Sequence, residues 1–472
     1  MRLMRKIFSK IVLSALYLAP AIMFGQQNIT LYNMPAIQQS TYVNPAQIPQ
    51  CKLNIGMPIL SSIYFNFGNS GFRPSDLVQP GSDDSLHLNI GNMINKLNNN
   101  NYISQSLQLD IFSFGIRIAD NYFSFNITEK EDVDFSYQKN FINWAWLGNG
   151  EFLGQNMNFN FGLNAMHYRE YGIGWARPVS KKLTLGVKLK YLYGMEDVWA
   201  QNGNVVFNTA TNDYGYNTSD NVRVNTSGID SGSFNNITPG SYLFGKHNGG
   251  MALDLGAQYK LSEKITLSAS LIDLGYIKWH TNLSDYTSSG QFNFDGIDIS
   301  QFVSGGDSAL NKLGDSVKNT FNVKTSHESY TTMLPAELYL GANYQLSEKQ
   351  SLGVLLYTQF ANSQLHLSPD VSYTLKLASW FSASGSYAVM NRDFLDLGLG
   401  FAITGPVQWY VLTDNVFGLF FPQSSRTINI RTGINFCFGR KEKKKAGAMF
   451  DVSNPDSTPP PKSPPPPPPD NK

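Results

Sequence analysis

Glu170, Lys188 and Lys190 are the side chains of this chain best placed to do chemistry together. They lie on two alternating runs that meet at a polar turn near residue 180. In β-strands, residues two apart share a face, so all three charges face the same way. A carboxylate beside two ammonium groups can form an ion-pair cluster that ties neighbouring strands together. It can also touch a charged solute and gate its passage. Catalysis has less to work with. His87, His167, His247, His280, His327 and His366 are scattered, with no pair at metal-ligand spacing and no cysteine cluster beside them. Gly148-x-Gly150 and Gly398-x-Gly400 fall in a loop and a strand, not at a strand-to-helix turn that would cradle phosphate. No catalytic, metal-binding or cofactor-binding residues are expected, and no enzymatic activity.

The elements that must position these charges are strands. Thr427–Phe438 shows the pattern most clearly: Ile428, Ile430, Ile434, Phe436 and Phe438 share one parity, and Asn429, Arg431, Gly433, Asn435 and Cys437 the other. One greasy face and one polar face suit a strand between lipid and a wet lumen, or one in a soluble sandwich. Three polar turns recur between alternating runs: Val179-Ser180-Lys181-Lys182-Leu183, Leu261-Ser262-Glu263-Lys264-Ile265 and Leu346-Ser347-Glu348-Lys349-Gln350. Each marks a hairpin. Runs are expected near 52–66, 105–118, 121–131, 166–178, 182–197, 248–260, 263–275, 334–345, 349–361, 366–376, 380–389, 394–403, 407–413 and 427–438. The first contains Pro58 and could be two pieces. Short turns alternate with other, mostly longer connections, which is the arrangement of a barrel rather than a sandwich. The expectation is an all-β fold: a transmembrane antiparallel β-barrel of about 14 strands, both ends periplasmic.

The flanks differ in kind. Arg2, Arg5, Lys6 and Lys10 precede an apolar stretch from Ile11 to Phe24, the pattern of a signal peptide over residues 1–26. That core is too short for a transmembrane helix, which needs ~20 residues. Residues 27–50 carry Pro35, Pro45 and Pro49, pair poorly in a sheet, and could fold into the lumen as a plug ahead of the barrel of residues 51–438. Short helices are expected in the loops at Phe141–Phe152 and Phe302–Phe321. Residues 439–472 hold the run Lys441–Lys445 and nine prolines between Pro459 and Pro469, a disordered periplasmic tail in polyproline II. Basic and acidic residues balance at 36 and 35, which argues against a nucleic-acid partner. Cys51 and Cys437 would meet where the first and last strands close the barrel. Parity, however, turns Cys51 outward with Leu53 and Ile55 and Cys437 inward, opposing a disulfide unless a bulge intervenes.

Tyr168-Arg169-Glu170-Tyr171-Gly172-Ile173-Gly174-Trp175-Ala176-Arg177 followed by Lys182–Gly194 resembles a family of Bacteroidota outer-membrane proteins of unknown function, the DUF5723 type. Asn44-Pro45-Ala46, after Val43, resembles the N-P-A element of that family and of its distant relatives, the fatty-acid-transporter and PorV-type barrels. The resemblance implies a 14-stranded barrel with an N-terminal plug, and the proline-rich tail departs from it. Two functions stay open. One is a plugged channel or transporter for small or amphipathic solutes. The other is a structural or accessory barrel of the secretion, motility or envelope-anchoring type. Its partners would be outer-membrane lipid, with other envelope proteins engaged through loops or the tail.

Overall fold

A computed structural model describes residues 28–80, 85–212, 215–228, 240, 248–294, 318–361, 364–390 and 393–439. Fourteen strands form one closed antiparallel wall. They are β1 (Leu53–Gly56 and Ile63–Asn69), β2 (Asn100–Ile118), β3 (Asn121–Gln138), β4 (Gly162–Pro178), β5 (Leu183–Thr209), β6 (Asn248–Lys260) and β7 (Ile265–Trp279). The second half comprises β8 (Ala336–Ser347), β9 (Gln350–Ala361), β10 (Gln364–Ala378), β11 (Phe381–Met390), β12 (Asp393–Thr404), β13 (Val407–Thr413) and β14 (Thr427–Phe438). Each pairs with the next, and β14 returns to β1 in the register Leu53↔Phe438 and Ile63↔Thr432. Closure gives each strand of the ring a partner on both sides along most of its length, which is what lets a sheet sit in hydrocarbon.

The first strand is indeed two pieces. Gly56 pairs with Asn435 and Ile63 with Thr432, so seven steps on β1 oppose three on β14 and four residues are extruded. Pro58 lies in this excursion with no N–H to give the ladder, and Ile59 takes a positive φ of 68° beside it. In β14 the faces fall as the alternation demands: Asn429, Arg431 and Asn435 are buried inward, and Phe438 is exposed. Ile173, Leu189, Leu255, Leu340, Val354 and Val371 stand exposed around the outside, an apolar belt of the kind that lipid solvates.

Short turns gather at one end of the barrel. The recurring serine explains their sequence: Ser180 Oγ accepts from the N–H of Lys182 and Leu183, and Ser262 Oγ from Lys264 and Ile265. Such side-chain acceptors replace backbone partners in a tight turn. At the other end the wall is uneven. β5 runs for 27 residues, well beyond the expected 182–197. Its upper half pairs with Tyr216–Ser227, which pairs in turn with Leu283–Phe294. The run of expected strands omits these segments because both of their faces are largely polar, which hides the period of two.

The helix expected at Phe141–Phe152 forms as Lys139–Leu147, stops at Gly148 with φ 79°, and gives way to a 3₁₀ turn at Asn149–Phe152. The helix expected at Phe302–Phe321 lies outside the described residues apart from its last four, 318–321, as do residues 1–26 and the tail from 440 onward. Among the described residues no helix is long and apolar enough to cross a membrane.

The expectation for the cysteines was wrong. Cys51 and Cys437 form a disulfide, with Cα atoms 5.6 Å apart. Strand β1 begins only at Leu53, and the chain bends at Lys52. Parity therefore does not carry back through the bend, and Cys51 turns inward beside Cys437, both of them buried.

Candidate functional site: a charged chamber above a buried N-terminal segment

Residues 28–50 lie inside the ring. A short helix, Ile29–Tyr32, and a 3₁₀ turn, Gln38–Tyr42, shape them; most of the side chains are buried and none is exposed. Ile29, Leu31, Tyr32, Met34, Ile37 and Val43 pack into one apolar cluster with inward residues of β7, β8, β9 and β11 to β13. Tyr32 stacks on Tyr339, ring centroids 5.1 Å apart. Polar contacts reach the wall on several sides. Asp414 Oδ1 accepts from Thr30 N–H at 2.7 Å, Gln39 exchanges amide hydrogen bonds with Asn435 at 3.0 and 2.9 Å, and Tyr42 donates to Asp110 Oδ2 at 2.7 Å. Ser270 Oγ donates to Val43 O at 2.5 Å. A segment with three prolines cannot satisfy its own backbone in a ladder, so inward wall side chains take that role.

The motif Asn44-Pro45-Ala46 has a local physical reason. Asn44 Oδ1 accepts from Ala46 N–H at 2.9 Å, and its Nδ2 donates to Tyr32 OH at 3.2 Å. The turn presses its backbone against two inward glycines. A Cβ on Gly186 would sit 2.3 Å from the Pro45 carbonyl carbon, and one on Gly256 2.4 Å from Asn44 Oδ1. Only glycine leaves room for so close an approach.

Beside this segment the three charges read from the sequence converge, and three more join them. Glu170 on β4 receives Lys130 of β3 at 2.9 Å and Lys190 of β5 at 3.5 Å. Lys190 also reaches Asp254 of β6 at 2.8 Å and Asp273 of β7 at 2.5 Å, and Lys130 reaches Asp273 at 3.2 Å. Lys188 behaves differently. It forms no close ion pair among the described residues and lies over the ring of Tyr42, 4.3 Å from the centroid. Three cations and three carboxylates balance across five strands. That balance matters, because burying an uncompensated ion costs several kcal/mol.

Asp273 could not be found by alternation. On β7, Ser270 and Ile272 face inward, so Asp273 should face out. The register shifts from Leu253↔Leu274 to Leu255↔Leu271, leaving one extra residue on β7, and Asp273 takes φ 58° there. Asp254 Oδ1 accepts its N–H at 2.8 Å. The bulge re-aims the carboxylate into the lumen. Asp254 and Lys130 obey parity and were legible in principle.

The chamber is bounded by Asn28 and Tyr42 on the side of the segment, and by Lys130, Glu170, Glu337 and Arg431 among the wall residues. Its free volume is about 30 Å³, room for one or two waters. Arg431 is fixed by neutral partners: it donates to Asn28 Oδ1, Ser62 Oγ and Gln108 Oε1 at 3.0, 2.6 and 2.8 Å, over the ring of Tyr64. Among the described residues no group of His, Cys, Asp and Glu is arranged to hold a metal.

A closed ring of fourteen strands with an apolar outer belt and a charged, packed lumen defines an outer-membrane β-barrel. The chain belongs to the family of unknown function DUF5723, whose model matches residues 45–414. No curated protein matches the sequence. Among solved structures, the Ralstonia pickettii toluene transporter TbuX is similar at 11% identity and a TM-score of 0.42, over 86% of this chain and 95% of that one. A Pseudomonas aeruginosa FadL homologue is similar at 10% identity and 0.40, over 89% and 100%. The Pseudomonas putida toluene transporter TodX is similar at 11% and 0.35, over 88% and 93%.

Proposed function

We propose that this barrel is a channel for small or amphipathic solutes, held shut by its N-terminal segment, with both chain ends in the periplasm. One observation carries the reading. Residues 28–50 pack against inward side chains of the wall, and the charged chamber beside them has a free volume of about 30 Å³. A ring of this size has an interior that something must fill. Here the filling is a separate piece of chain held by side-chain contacts, not by the backbone ladder of the wall. Such a piece can leave without opening the ring. The mixed charges of the chamber would then line the path and favour solutes with a polar or charged end over plain hydrocarbon.

Single-channel conductance of the purified barrel in planar bilayers, with and without residues 28–50 and with the leader kept, tests this. The deletion barrel should conduct markedly more. Unchanged conductance in a deletion barrel that still shows heat-modifiable migration would overturn the plug. The strands rising beyond the belt, β5 with Tyr216–Ser227 and Leu283–Phe294, favour a second reading, an accessory barrel that docks an envelope protein. Co-purification of a stoichiometric partner from native membranes, lost when this sheet is trimmed, would support that reading instead.

A further inference from the structure

β13 is too short for its place in the wall. Its seven residues, at about 3.4 Å each and tilted by about 40°, cover roughly 18 Å of height. The apolar band to be covered is ~25 Å. Its neighbours are longer: β14 spans 12 residues and β12 another 12. The last pairs of β13 are Thr413 with Leu399 on β12 and Leu412 with Arg431 on β14. Beyond them β12 and β14 continue with no strand between, leaving a notch at the end of the barrel away from the short turns. Open sheet edges are not tolerated against hydrocarbon, because nothing there can satisfy the freed N–H and C=O groups.

The connection from β13 to β14 fills the notch. Asn415 Nδ2 donates to Asp396 Oδ1 on β12 at 2.8 Å and to Thr427 Oγ1 on β14 at 2.8 Å, and it also reaches the Thr427 carbonyl at 3.2 Å. Thr413 Oγ1 donates to the Asn429 carbonyl at 2.8 Å. Asn415 Oδ1 caps the helix Val416–Phe420 by accepting from Gly418 N–H at 2.8 Å. Gly418 lies so close to β14 that a Cβ would sit 2.0 Å from the Thr427 carbonyl oxygen. The helix is therefore seated in the seam between β12 and β14. Yet its outer side is bare: Phe417, Phe420 and Phe421 are 42%, 69% and 54% exposed. This greasy surface continues the belt of exposed Leu397 and Phe401 on β12 and Trp409 on β13.

We infer that Val416–Phe421 is a membrane-embedded patch of the wall, its three phenylalanines solvated by the acyl chains of the lipid leaflet, completing the band that β13 leaves unfinished. Lipid, rather than a protein partner, is the occupant because the patch runs on from the lipid-facing belt and because a bare notch would be unsatisfied in hydrocarbon. The reading does not depend on what passes through the lumen.

A nitroxide at Phe420→Cys, in nanodiscs that leave both faces open to solutes, tests it. The two native cysteines are joined, so the label goes to the new thiol. Phe401→Cys marks the lipid belt, and Thr211→Cys marks an exposed turn at the same end of the barrel. Heat-modifiable migration checks folding, and Phe417→Cys substitutes if Phe420→Cys does not fold. Collisions with oxygen should exceed those with a water-soluble nickel chelate several-fold at Phe420, as at Phe401. A ratio like that at Thr211 would place the patch in water. Shielding from both reagents, with a co-purifying protein, would assign the patch to a partner. Either result overturns the proposal.

Discussion

Replacing Lys190 by methionine tests the buried charge network most directly. Lys190 is 4% exposed, and its ammonium lies within 3.5 Å of Asp254, Asp273 and Glu170. Methionine keeps most of the stem and removes the charge. Asp254, wholly buried, then loses its only ion-pair partner among the described residues, while Asp273 and Glu170 keep Lys130. Removing one member of a buried pair costs about 3–5 kcal/mol, because the other is left desolvated and uncompensated. The single substitution Asp254→Asn should cost less, about 1–3 kcal/mol, since Lys190 retains two carboxylates. Combining the two removes the stranded charge, so the double variant should be more stable than the sum of the singles by about 1–3 kcal/mol. Urea titration in lipid vesicles, read from the shift between folded and unfolded migration on gels, gives all three values. A cost below about 1 kcal/mol for Lys190→Met, or additivity within about 0.5 kcal/mol, would refute a coupled network.

Gly186→Val should drive a side chain into the Pro45 backbone; overpacking of this kind costs about 1–3 kcal/mol. It should raise conductance without any deletion, and unchanged conductance would show that the segment does not seal the lumen. Cys51→Ser with Cys437→Ser should lower stability by on the order of 2–5 kcal/mol, because the bond closes the chain between its first and last strands; the urea midpoint measures it. Protease added to intact cells should spare the tail beyond residue 439, and protease in opened periplasm should remove it with heat-modifiable migration intact. Cleavage from outside would invert the topology.

Much of the wall was legible because lipid and lumen impose opposite chemistry on alternate residues. In β14 that contrast is nearly unbroken, and in the turns the repeated serine is a direct hydrogen-bonding requirement. Legibility fails where the physics that writes the pattern stops. Above the belt, β5 and Tyr216–Ser227 have polar surroundings on both faces, so asparagine, threonine and serine occupy both parities. At Asp273 and at Lys52 the count itself breaks, through a bulge in one case and a bend before the strand in the other. The bulge hides Asp273 from the alternation, and the bend put Cys51 on the wrong face. Glu170, Lys188 and Lys190 were found because β4 and β5 keep regular spacing there, although the ring of Tyr42, not a carboxylate, lies against Lys188.

The contacts of the N-terminal segment also constrain the order of assembly. Thr30 and Gln39 bond to Asp414 and Asn435, partners 384 and 396 residues away in sequence. Such contacts carry the full entropic cost of loop closure and form late unless something else has already joined the ends. In this chain the ladder between β1 and β14, with the Cys51–Cys437 bond, does so. A ring closed by that ladder brings these partners close to the segment and lowers the cost of seating it. The same asymmetry holds in reverse. Its hold on the wall is side-chain contacts and one apolar cluster, whereas the ring is held by backbone ladders through fourteen pairings. A perturbation that frees the segment need not touch the ladders, and this separation of bonds is what would let the barrel open without unfolding.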